Sequence, residues 1–176
     1  MSLFTQYRER LHFKKITKDQ AKRTSNQVTW NKKMNRIGVL LPIENIEDAV
    51  VKKFIKRLKK LAKEVQLLGF ADVKELKEPL AIDAFSKKEV DWIWRPKGET
   101  VAAFRQQSFD VLVNLCQHTC YPLEYIAAAC DAKYKIGALT KYPNNYDLML
   151  ETENLENHIR QVEFFLAKFS TQYEQV

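Results

Sequence analysis

Apolar residues in this chain follow two rhythms, short unbroken runs and longer stretches that step by three and four. Arg36-Ile-Gly-Val-Leu-Leu-Pro42 and Phe109-Asp-Val-Leu-Val-Asn-Leu115 are of the first kind, and their near-continuous hydrophobicity predicts strands buried on both faces of a parallel sheet. Ile46, Val50, Phe54, Leu58 and Leu61 step along a stretch of the second kind. Lys52, Lys53, Lys56, Lys59, Lys60 and Lys63 fill its other positions, so the spacing predicts an amphipathic helix. Gly69 reads as the turn beyond that helix, and Ala71 to Glu78, where Val73 and Leu76 fall among charges, as a second, more exposed strand. Strand, helix, strand is the parallel crossover unit.

The same reading continues to the end of the chain. Residues 80 to 97 predict a loop and a short strand holding Trp92, Ile93 and Trp94; on a strand the two tryptophans share one face, most simply in the core. Glu99 to Gln107 predicts a helix, and Pro122 suits the first turn of another through Ile126 and Ala129. Tyr134 to Leu139 and Tyr146 to Leu150 predict strands joined by a turn at Pro143-Asn144-Asn145, with the closing pair open to an antiparallel arrangement. Leu155, Ile159, Val162, Phe165, Leu166 and Phe169 stripe a terminal helix capped by Thr152 or Asn154. The expected fold is an α/β three-layer sandwich with a mostly parallel sheet, Rossmann-like or flavodoxin-like, preceded by a basic helical N-terminal arm.

In that arm Phe4, Tyr7 and Leu11 predict a short helix from residue 3 to about 15 with a cationic face, and Thr17 to Asn35 a second short helix and a linker anchored by Trp30. Charge supports the division into an arm, residues 1–35, and one α/β domain, residues 36–176. Residues 1–36 hold ten Lys/Arg against Glu9 and Asp19, a net charge of +8, while the remainder holds nineteen against twenty. The whole excess of the chain, +7, therefore belongs to the arm. At 176 residues, 45% apolar and 29% charged, the composition is that of a globular chain with one core. No apolar run approaches the roughly 20 residues of a membrane span, and no apolar signal segment follows the N-terminus, so a cytoplasmic protein with no transmembrane segment is expected. Three cysteines, Cys116, Cys120 and Cys130, predict reduced thiols rather than a disulfide framework.

Phe109-Asp-Val-Leu-Val-Asn114, Pro122-Leu-Glu-Tyr-Ile-Ala-Ala128 running on to Ala132-Lys-Tyr-Lys-Ile-Gly137, and Tyr146-Asp-Leu-Met-Leu150 are the most distinctive segments. With the basic helical N-terminus before an Ile-Gly-Val-Leu strand, the chain resembles an uncharacterised Bacteroidota family of small α/β proteins, a domain of unknown function. The resemblance implies no activity, cofactor or catalytic residue.

Ligands of open α/β sheets bind outside the carboxyl ends of the strands, where strand order reverses. If the strands at Ile37 and Val111 are neighbours, that crevice is bordered by Pro42 to Asn45 and by Asn114 to Tyr121, making Asn45, Asn114, Cys116, His118 and Cys120 the crevice candidates. Cys116-Gln-His118-Thr-Cys120 invites a zinc or Cys-His reading. A structural zinc wants four ligands in two separated pairs, and only Cys130, His12 and His158 remain, so no metal is expected. No Gly-x-Gly-x-x-Gly and no Gly-Lys-Ser/Thr is present, so no nucleotide cofactor is expected either. Asp110, Asp131 and Asp147 read as capping or solvated carboxylates, and Tyr146 as a strand residue.

The functional expectation is a binding or interaction protein, with catalysis left open, whose arm engages a polyanion, RNA or a ribonucleoprotein, through Arg8, Arg10, Lys14, Lys15, Lys18, Lys22, Arg23, Lys32 and Lys33. The alternatives are attachment of the arm to an anionic membrane surface, a protein partner at the arm, and a small enzyme using loop 114–121.

Overall fold

In a computed structural model, which describes residues 3–20, 34–76, 80–140 and 145–171, the apolar run β1 (Met34–Pro42) lies at the centre of a six-stranded sheet. β2 (Ala62–Ala71) pairs with it on one side and β4 (Ser108–Asn114) on the other, both parallel, with Ile37 opposite Val65 and Val111. β3 (Asp83–Ser86) extends the sheet beyond β2, and β5 (Asp131–Ala138) and β6 (Leu148–Leu150) extend it beyond β4, again parallel. The order β3-β2-β1-β4-β5-β6 is that of the Rossmann fold rather than of flavodoxin.

Alternation along β1 builds the layers. Ile37, Val39 and Leu41 face α2 (Ala49–Leu61) and α5 (Leu155–Thr171), joining Phe54, Leu58, Ile159, Val162 and Leu166 in one apolar layer. Leu40 faces α3 (Glu99–Arg105) and α4 (Tyr121–Ala129), among Phe85, Val101, Phe104, Phe109, Leu123 and Ile126. α1 (Leu3–Gln20) lies outside α4, where Ile16 packs on Tyr125 and Ala128. α2 starts where Asp48 accepts a hydrogen bond from the Val50 amide at 2.7 Å, a side-chain cap on an otherwise orphaned donor.

The structure departs from the sequence expectations at four places. α2 gives way directly to β2 at Ala62, so the second strand is Ala62–Ala71 and residues 72–75 form bends. Gly69 therefore sits inside a strand, where an added Cβ would lie 2.8 Å from Ile43 Cδ1; close packing, not a turn, demands the glycine. Residues 91–95 turn instead of forming a strand: Asp91 accepts hydrogen bonds from the amides of Ile93 (3.1 Å) and Arg95 (3.0 Å), leaving Trp92 55% exposed rather than in the core. β5 and β6 pair in parallel, not antiparallel. In the arm, residues 17–20 continue α1, and the second helix, linker and Trp30 anchor expected beyond fall at residues 21–33, outside the described residues.

Candidate functional site

Chain leaving β1 turns to the α2 face of the sheet and chain leaving β4 turns to the α4 face, so the two following loops part at the strand ends. Between them lies a cleft of about 340 Å³, bordered by Pro42 and Glu44 after β1, Phe70 and Asp72 around the end of β2, Cys116 to Pro122 after β4, and Trp94. The expected neighbouring of the strands at Ile37 and Val111 is thus present, and the crevice is where that pairing puts it.

Cys116 and Cys120 converge there. Both line its wall, near enough for Cys120 to act electrostatically on Cys116, and the Cys116 sulfur lies 3.2 Å from the backbone oxygen of His118. The interaction with Cys120 holds the Cys116 thiol below its ordinary pKa against the opposing effect of burial, and pushes Cys120 up in return. The imidazole of His118 is exposed, so it is the backbone of that residue that meets the sulfur. Asn114 is buried beneath the cleft, not lining it: its Oδ1 accepts from the Cys116 amide at 3.0 Å and its Nδ2 donates to the Tyr146 hydroxyl at 2.7 Å. Glu44 lines the cleft from the turn after β1, whereas Asn45 is absent from the wall and its carbonyl closes the turn onto the Asp48 amide. Cys130 is buried apart from the pair, its thiol pushed up to about 12 by desolvation.

Behind the cysteines stands a buried polar network that the sequence reading did not single out. Glu124, one turn into α4 and 1% exposed, accepts from Asn145 Nδ2 at 2.7 Å and is hydrogen-bonded by Tyr146 and Thr140. Tyr146 fits because Gly137 has no side chain; an added Cβ would lie 2.5 Å from the ring. Burial pushes the Glu124 carboxyl from 4.5 up to about 7, against the pull of those hydrogen bonds. One cue was available in the sequence, since Glu124 is the only charged residue between Tyr121 and Ala129.

The residues present do not fit a Rossmann dinucleotide. Pro42 has no N–H to offer a pyrophosphate, the Glu44 carboxylate occupies the cleft wall, and the N-terminus of α2 is already capped by Asp48.

α1 docks beside the cleft. The Arg8 guanidinium lies 3.6 Å from the centroid of the Trp94 ring, and Trp94 stacks on Tyr121 at 4.0 Å and 12°. His12 is fully buried, edge-on to both rings, with Nδ1 2.7 Å from the Ile93 oxygen, and the Tyr121 hydroxyl donates to Glu9. Trp94 adopts a left-handed backbone, φ 58°, which costs a bulky residue about 1–3 kcal/mol and is held by the turn around Asp91. The docked face is therefore Arg8, His12 and Ile16; Phe4 and Tyr7, expected to form its stripe, are exposed. Arg10, Lys14 and Lys18 are exposed on the outward face and Lys15 is half-buried. Lys22, Arg23, Lys32 and Lys33 lie outside the described residues.

Among the described residues no helix is long and apolar enough to cross a membrane, and no three His, Cys, Asp or Glu side chains group as a metal site. The sequence profile of a family of unknown function, DUF6913, matches residues 8–169, so the matched region includes most of the docked helix as well as the sheet. No curated protein matches the chain.

Two outcomes follow from this geometry. Trp94→Ala removes the arm's cation–π contact through Arg8 and its edge contact through His12, about 1–3 kcal/mol; hydrogen exchange should show α1 amides losing roughly 10- to 100-fold protection with the sheet unchanged. For Glu124, the unfolded chain ionises near 4.5 while the folded chain keeps the proton to about 7. Its protonated form thus favours folding below 4.5, and that stabilisation is lost as pH rises to about 7. Urea titrations from pH 5 to 8 should show the native protein losing up to about 3 kcal/mol relative to Glu124→Gln. His158, pushed down to about 4 by burial, has the opposite slope and is common to both proteins.

Proposed function

We propose that this chain, which belongs to the DUF6913 family of unknown function, is a cytoplasmic binding protein that engages RNA through the outward face of α1. The observation that carries this reading is the division of charge on the helix. Arg10, Lys14 and Lys18 recur in steps of four on the exposed side, while Glu9 is drawn inward to Tyr121 and Arg8 is committed to Trp94. Such a row projects cations along one line about 6 Å apart, and cations facing a phosphate chain bind it by releasing counterions. Tyr7, exposed, stands among them and offers a ring face on which an unpaired base stacks. Lys22, Arg23, Lys32 and Lys33 add to the same positive segment by sequence, and the nearly neutral body gives a polyanion no comparable attraction.

Attachment to an anionic membrane would use the same cations but needs its apolar residues gathered in one sector. Here Leu3, Phe4, Tyr7 and Phe13 are exposed at positions interleaved with the basic residues, which favours RNA.

A polarisation titration with a labelled single-stranded RNA across a salt series tests this. The full-length protein should bind with an affinity that falls steeply with salt. Replacing Arg10, Lys14 and Lys18 together by Ala should lower the slope of log K against log salt by about 2, at roughly 0.7 per phosphate contact on a single strand. Absence of binding at low salt, or an unchanged slope in the triple variant, contradicts the proposal. Co-sedimentation with anionic vesicles in the absence of RNA affinity would move the function to the membrane surface.

A further inference from the structure

The cleft is independent of the outward face of α1 and holds a different chemistry. Cys116 ends the buried continuation of β4, and Cys120 immediately precedes α4, so a four-residue step across one turn sets both side chains on the wall of the same cleft. Both cysteines are free and both border the cleft. Cys116 is 2% exposed and Cys120 half-buried, so access to the first sulfur runs through the cleft. The backbone there is clamped, since the Cys116 amide donates to Asn114, which is itself fixed by the buried Tyr146 hydroxyl. Two free thiols on one cleft wall, on a held backbone, at the ligand-binding end of a parallel sheet are arranged for exchange with a disulfide.

We propose that Cys116 and Cys120 form a reversible dithiol–disulfide pair that reduces a small disulfide entering the cleft. The Cys116 thiolate attacks one sulfur of the substrate; a new S–S bond forms, the substrate bond breaks, and the first half leaves as a thiolate that takes up a proton. Cys120 gives up its proton and attacks the Cys116 sulfur of the mixed disulfide. The second half then leaves as a thiol, and the Cys116–Cys120 disulfide remains. Two cysteine thiols are oxidised, one substrate disulfide is reduced to two thiols, and two protons pass from the cysteines to the leaving groups.

One feature sets the direction of attack, and two carboxylates work against it. The Cys120 thiol stabilises negative charge on Cys116, as the attacking sulfur requires. Glu124, when ionised, opposes charge on both sulfurs, and Glu44 opposes it on Cys116. The cleft, about 340 Å³, has the dimensions of a small-molecule site, and Trp94 and Tyr121 supply an aromatic wall. Substrates are accordingly low-molecular-weight disulfides.

The test equilibrates the reduced full-length protein with mixtures of reduced and oxidised glutathione, followed by alkylation, intact mass and peptide mapping. The wild type should lose two thiols together, form a Cys116–Cys120 bridge, and release two glutathione thiols per bridge, reversibly. Cys120→Ser should stop at one glutathione adduct on Cys116. Cys116→Ser should slow the first step by about tenfold or more, because the favoured thiolate is gone. Cys130→Ser should behave as wild type. The proposal is overturned if neither thiol reacts in mixtures that oxidise a free dithiol, if wild-type protein accumulates stable adducts in place of a bridge, or if Cys130 enters the bridge.

Discussion

β1 is bonded in parallel on both sides, to β2 and to β4, and the connections that follow β1 and β4 leave toward opposite faces of the sheet. Two loops that part in this way cannot fill the space between them, so a cleft opens at the strand ends. Its contents follow from which residues continue each strand. β1 ends in Pro42 and is followed by Glu44, which spoil a phosphate cradle; after β4 come Cys116 and Cys120, both on the cleft wall. The hydrophobic continuity of the two central strands thus decides where chemistry is available, and the short polar segments after them decide its kind.

The same end of the sheet receives the arm. Trp94 borders the cleft and carries Arg8 on its ring, and Tyr121 begins α4, stacks on Trp94 and holds Glu9. A strained residue paid for by two stacking contacts makes the docking of α1 sensitive to one side chain. Docking in turn orients the helix, since with Arg8, His12 and Ile16 turned inward, Arg10, Lys14 and Lys18 must point away.

Much of this arrangement was legible in the sequence, for physical reasons particular to each element. β1 and β4 were legible because burial on both faces leaves a nearly unbroken apolar run in each, and α2 because its lysines and its apolar residues segregate cleanly. β2 was hidden: Lys63, Glu64 and Gln66 prolong the charged pattern of α2, and Gly69 imitates a turn although packing against Ile43 requires it. The crevice and the cysteines were legible once β1 and β4 were taken as neighbours. Glu124, Asn145 and the inward face of Tyr146 were not, because three-way burial of polar groups depends on tertiary contacts that no local period encodes. The face by which α1 docks was not legible for a related reason. Phe4 and Tyr7 are the apolar candidates, but the body offers aromatic rings, and rings accept a guanidinium and an imidazole as readily as a phenyl group.

The central claim is that a helix fixed by its inner face presents its outer face to RNA. Ultraviolet crosslinking of the full-length protein to single-stranded RNA, followed by peptide mapping, tests it most directly. Adducts concentrated within residues 3–20, at Tyr7 in particular, with Trp94 spared, are the predicted result. Adducts centred on Trp94 and Tyr121 or on the far faces of the sheet, or a protein that does not crosslink at all, would contradict the account.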